Sequence, residues 1–188
     1  MKTVGFALCG SFCTLSRVFA VVERMVKDGW DVVPILSFCA AQMDTRFGKA
    51  ADFCDQLEEI CGHKPLRTLQ EVEPIGPKQL LDVLVVAPCT GSTLARIAHG
   101  LSDTPVSLAV KSQLRVERPV VIAVSSNDAL AGSAKNIAEL LCRRNVYFTP
   151  MRQDAPMTKP RSMVAVMEDI PKTVQAALEG KQVQPILI

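Results

Sequence analysis

The sequence of 188 residues is long enough for one domain with a substantial core. Its 48% hydrophobic and 21% charged content excludes a disordered chain. A formal net charge of +2 offers no electrostatic basis for a nucleic-acid partner. No run of about 18 apolar residues occurs, so no membrane segment is expected.

Seven cysteines are present, an odd number without a CxxC pair, and there are two histidines. That set does not suit zinc, so no metal is expected. Free thiols in a reducing cytoplasm are expected instead, most of them buried as small hydrophobes.

In chain order, Val4 to Leu8 reads as a buried strand ended by Cys9-Gly10-Ser11. Leu15, Val18, Phe19, Val22, Met25 and Val26 recur at helical spacing, and Gly29 stops that helix. Val32 to Leu36 is a second strand, ending at Ser37. Phe38 to Lys49 has no clear period, and Ala50 to Cys61 is helical. Val83 to Ala87 is a strand ended by Pro88. Helices are expected over Leu94–Leu101 and Val106–Leu114, then a strand over Val120–Val124. A polar loop from Ser125 to Gly132 leads into a helix from Ser133 to Arg143. A short strand covers Val146–Thr149, Met151–Arg161 reads as a loop, and Met163–Leu178 is a helix broken at Pro171. Strands alternate with helices throughout. The expected fold is therefore α/β, a single-domain doubly wound parallel sheet over residues 1–188 in three α/β/α layers.

In such a sheet, ligands bind at the carboxyl ends of the strands. Four strand ends here carry small polar residues: Gly10-Ser11 with Thr14, Ser37, Thr90 to Thr93, and Ser125 to Asn127. Taken singly, each is an ordinary helix cap. Together they suit a phosphate, because a helix start supplies unpaired N–H donors and partial positive charge. The dinucleotide fingerprint GxGxxG is absent from the first turn, Cys9-Gly10-Ser11-Phe12-Cys13, and no GxxxxGK[ST] occurs. A mononucleotide such as FMN fits better than NAD.

Residues 87–100, APCTGSTLARIAHG, resemble a segment shared by FMN-dependent cysteine decarboxylases and flavin prenyltransferases. Pro88, Thr90, Thr93 and Gly100 match it, while the decarboxylases usually carry Asn where Ser92 stands. TVGFALCGSFCT (3–14), SSNDALAGSAKNIAELL (125–141), NVYFTP (145–150) and KQVQPILI (181–188) resemble the dipicolinate synthase B-subunit family. That resemblance implies an FMN-type pocket formed by Gly10, Ser11, Phe12, Cys13, Ser37, Pro88, Thr90, Ser92, Thr93, Ser125, Ser126 and Asn127. It also implies a homo-oligomer and a partner, the dipicolinate synthase A subunit, which carries NAD(P). The pair would oxidise a dihydrodipicolinate precursor to dipicolinate during sporulation.

Departures bear on what is carried over. The decarboxylases use a histidine after an early strand, and none lies between Met1 and Gly62. The Arg-Glu pair of the prenyltransferases is replaced by Ser126-Asn127. No catalytic residue is therefore assigned. A self-sufficient FMN enzyme and a non-catalytic partner that keeps the fold are the alternatives. Cys89, at a strand-to-helix turn, is the best-placed thiol. Arg152, Lys159 and Arg161, in the loop after the last strand, are candidates to hold a dicarboxylate substrate.

Overall fold

The computed structural model describes residues 2–188; Met1, with which the expected unit begins, lies outside the described residues. The elements in order are β1 (Thr3–Leu8), α1 (Leu15–Lys27), β2 (Asp31–Leu36), α2 (Phe38–Gln42), α3 (Ala50–Cys61) and α4 (Leu69–Val72). Next come β3 (Val83–Cys89), α5 (Gly91–Ala98), α6 (Pro105–Arg115), β4 (Val120–Ser126) and α7 (Ala134–Leu141). The chain closes with β5 (Val146–Phe148), β6 (Met151–Arg152), β7 (Met163–Ala165) and α8 (Ile170–Leu178).

β1, β3 and β4 form the centre of the sheet because their sequences are apolar on both faces. Every residue of β3 is buried, as are five of six in β1 and six of seven in β4. The parallel strands run in the order β2-β1-β3-β4-β5, with helices on both sides, so the expected α/β/α layering is found. The chain reverses its direction of travel across the sheet between β1 and β3, where such sheets bind ligands.

Two expectations are corrected. The sheet is not wholly parallel. β7 pairs antiparallel with the end of β4 (Ser125↔Val164, Ser126↔Met163) and with β6 (Met151↔Ala165). Met163–Ala165 is thus a strand and not the start of a helix. The last helix begins only at Ile170, with Pro171 in its first turn, where a missing N–H costs nothing. In the other direction, β3 runs on through Pro88 to Cys89. Proline cannot donate to the ladder, and the register with β4 shifts between Val86 and Cys89 to accommodate it.

Gly29 ends α1 with a φ of 87°, a left-handed conformation that glycine adopts without a Cβ penalty. At the C-terminal end of β5, Thr149 is fully buried and its hydroxyl has no hydrogen-bond partner among the described residues. An unpaired buried hydroxyl costs roughly 1–3 kcal/mol. Thr149→Val removes it at nearly constant shape, so chemical denaturation should show the variant more stable by about 1 kcal/mol. A loss of stability would mean that the hydroxyl is paired in solution.

Candidate functional site

The carboxyl ends of β1, β3 and β4 open onto one cleft of about 1070 Å³. Its floor is made by residues at or just past the ends of those strands: Gly10 and Ser11, Thr90 to Ser92, and Ser125 to Asn127, with Asp128 beside them. Arg17 from α1, Ser133 and Asn136 from the start of α7, and Asp154, Lys159 and Ser162 from the β6–β7 hairpin complete the walls.

Local hydrogen bonds fix the turns. The hydroxyls of Ser11 and Ser125 lie 2.8 Å apart, joining the end of β1 to the end of β4. Thr14 donates to the Ser11 carbonyl at 2.8 Å. Thr90 caps α5 by accepting from the Thr93 amide, and Thr93 donates to the Cys9 sulfur at 3.3 Å. The short 3₁₀ turn Phe12–Thr14 and helices α1, α5 and α7 carry no acidic residue in their first turns. Their amide-rich ends therefore attract an anion, opposed at α7 by the Asp128 carboxylate bonded to the N-cap Ser133.

A second knot lies beside the start of α5. Ser126 and Ser133 both donate to Oδ1 of Asp128, at 2.5 and 2.8 Å. These bonds hold the Asp128 carboxyl below the usual carboxylate range, so it is ionised near neutrality. Gly91 lies against this knot. A Cβ there would sit 2.6 Å from the Ser133 hydroxyl and 2.8 Å from Asp128 Oδ1.

Of the residues expected at the site, Gly10, Ser11, Cys13, Thr90, Ser92, Ser125, Ser126, Asn127 and Lys159 line the cleft. The others stand elsewhere. Ser37 spends its hydroxyl capping α2, accepting from the Ala40 amide. Pro88 and Thr93 are buried beneath the floor, and Phe12, which is not in the lining, has its ring 3.5 Å from where a Cβ on Gly10 would stand. Arg161 donates to the Leu130 carbonyl, and Arg152 lies outside the lining, near Glu168. Lys159 reaches the cleft already paired with Asp154 at 3.3 Å.

Cys89 is not a reactive thiol. It is fully buried, and burial pushes its thiol well above the ordinary value. Cys9, its neighbour beneath the floor, is pushed up to about 11 by burial. His63 pairs with Asp31 at the start of β2, away from the cleft, and His99 caps the far end of α5. Neither lines the cleft, which holds hydroxyls, amides and two carboxylates but no imidazole. Such a surface binds and orients; it offers no neutral proton shuttle of its own. No group of three or more potential metal ligands gathers among the described residues.

Sequence reasoning missed Arg17, Asp128, Ser133 and Asn136. Arg17 forms a two-pronged pair with Glu168, at 2.8 and 3.1 Å, which holds the Glu168 carboxyl low and the guanidinium at the cleft rim. Asn136 could have been found: it falls on the buried stripe of α7 with Ile137 and Leu140, where a polar residue is out of pattern.

A family model described as Flavoprotein matches residues 1–178. The chain belongs to the flavoprotein family. It is 40% identical to the dipicolinate synthase B subunit of Bacillus subtilis (strain 168) over all of its own length and 94% of that protein. A crystal structure of the dipicolinate synthase B subunit from Bacillus halodurans superposes with a TM-score of 0.91, at 41% identity, covering 100% of this chain and 96% of that one. The FMN complex of DmrB from Burkholderia xenovorans, at 16% identity and a TM-score of 0.70, covers 95% of this chain and 96% of its own; it shares the fold. No helix among the described residues is long and apolar enough to cross a membrane.

Proposed function

We propose that this chain is the B subunit of a dipicolinate synthase, and that its cleft holds the phosphate-bearing mononucleotide FMN. The observation that carries the reading is the convergence of three strand ends, each followed by a hydroxyl-bearing turn that leads into a helix, at the β1/β3 reversal. The donor set fits such a group: Ser11, Ser125, Thr90 and Ser92 offer hydroxyls, and the turns at 10–14 and 90–92 offer amides. The Asn136 carboxamide, on a residue only 6% exposed that lines the cleft, has no hydrogen-bond partner of its own among the described residues. A bound flavin would supply electron or hydride transfer; the protein's part is to fix its tail and exclude water from its ring.

The Bacillus subtilis relative is named as the B subunit of its synthase, which supports a companion chain. In this reading that companion, the A subunit, carries NAD(P), and the two oxidise a dihydrodipicolinate precursor. Lys159 and Arg17, the two cations that line the cleft, take the place expected of Arg152 and Arg161 as partners of a carboxylate substrate.

The test is flavin binding by the purified chain, followed by absorbance and fluorescence titration. Ser11→Ala should weaken FMN by roughly 1–3 kcal/mol, because it leaves a charged phosphate oxygen short of one donor. Absence of any flavin binding by the unmodified chain, loaded at high FMN concentration, would defeat the reading.

A further inference from the structure

The cleft attracts anions at its floor, yet one wall carries a carboxylate without a cation. Arg17 is paired with Glu168 and Lys159 with Asp154, but Asp128 forms no ion pair among the described residues. Its two oxygens are in different situations. Oδ1 accepts from Ser126 and Ser133. Oδ2 accepts no hydrogen bond among the described residues; a Cβ built on Gly132 would stand 3.2 Å from it. An ionised carboxylate accepts only, and has lone pairs for about four donors. Half of that capacity is unused among the described residues, in a residue that lines the cleft.

An independent observation lies one turn further on. Asn136 is only 6% exposed, and it lines the same cleft with its carboxamide unpartnered among the described residues. Thr149 Oγ1 alone among the described side-chain atoms is both sealed from solvent and unpaired, so the Asn136 amide atoms stay open to the cleft and free to meet a ligand. Both groups point to something that fills this wall when the protein works. That occupant must present an N–H or O–H toward Asp128 and a hydrogen-bonding edge toward Asn136. A second carboxylate or phosphate there would meet like charge.

We infer that Asp128 Oδ2 and the Asn136 carboxamide read the donor-bearing head of a ligand whose anionic tail lies on the cleft floor. The cleft is thus polar in two senses: it draws a negative tail to the helix starts and asks for a donor at Asp128 and Asn136. This rests on the reading that the cleft holds a phosphorylated mononucleotide, and it adds the feature that sets ligand orientation. A mononucleotide, with ring N–H groups and sugar or ribityl hydroxyls at one end, satisfies both walls. A free dicarboxylate satisfies only the floor.

Asp128→Asn is the incisive variant. It keeps Oδ1 as acceptor for both serines, and so keeps the knot, but turns Oδ2 from acceptor into donor. Calorimetric titration of the full chain with FMN, adenosine monophosphate and inorganic phosphate gives the readout. The expected result is a loss of about tenfold to a hundredfold in FMN affinity for Asp128→Asn, the range for a hydrogen bond to a charged group. Phosphate binding stays unchanged or tightens, which also shows that the floor is folded. Asn136→Leu, which keeps the volume and removes the carboxamide, should weaken FMN and leave phosphate alone. Equal FMN affinity in the unmodified chain and Asp128→Asn overturns the inference and leaves the flavin reading standing. If the unmodified chain binds no FMN, the flavin reading falls. The inference is then judged on adenosine monophosphate: the same selective loss supports it, and parity or no binding overturns it.

Discussion

Gly91→Ala should destabilise the protein by about 1–3 kcal/mol, although helix propensity alone favours alanine over glycine by up to about 1 kcal/mol. The reason is the knot beside α5. The added Cβ would lie 2.6 Å from the Ser133 hydroxyl, 2.8 Å from Asp128 Oδ1 and 3.0 Å from the Ser126 hydroxyl. Both hydroxyls donate to Asp128 Oδ1, so moving any of the three atoms strains or breaks at least one of these bonds. Accommodating the methyl pushes α5 away from α7 and widens the cleft between them. For a chain of this length, each kcal/mol lowers Tm by roughly 2–4 °C, so the expected fall is on the order of 2–12 °C. Any ligand held between the starts of α5 and α7 should weaken in parallel. A melting temperature equal to or above that of the unmodified chain would show that the knot yields and does not hold the cleft's width.

Residues 83–87 and 120–124 announce their strands because a parallel strand buried on both faces must be apolar at every position. The helix at 50–61 is legible from its spacing and ends on Gly62 in a left-handed cap. The β6–β7 hairpin was not legible. Its strands have two and three residues, too short for alternation to register, and Met163-Val164-Ala165 continues into a helical sequence. What makes β7 a strand is the unpaired edge of β4 beyond Val124, a tertiary fact.

The site divides the same way. Small polar residues at strand ends marked the floor, since fold topology alone brings those ends together. The same residue types serve as plain caps, and Ser37 shows that local sequence cannot separate the two uses. Asp128 and Arg17 carry no local signature; their roles depend on Ser133 and Glu168, five and 151 residues away. The charge of the basic loop is plain from its residues, but which cation reaches the cleft depends on the hairpin's course. Lys159 reaches it and Arg161 is turned to the Leu130 carbonyl.

The largest functional effect is expected from the partner. Alone, the chain should not oxidise a dihydrodipicolinate with a nicotinamide cofactor above the uncatalysed background, and adding the nicotinamide-binding partner should produce turnover. A dinucleotide pyrophosphate needs glycines at the second and third fingerprint positions, where its backbone contact and the following helix leave no room for side chains. Counting from Gly10, those positions hold Phe12 and Leu15. Leu15 is buried at the first position of α1, and Phe12 belongs to the 3₁₀ turn that replaces the glycine-rich loop. Restoring the glycines would remove the Leu15 contact from the core, so the site cannot simply be recovered. The measurement is nicotinamide reduction followed by absorbance, with each chain alone and with the two mixed. Turnover by this chain alone at a rate comparable to the mixture would overturn the two-subunit reading, whether or not flavin is bound.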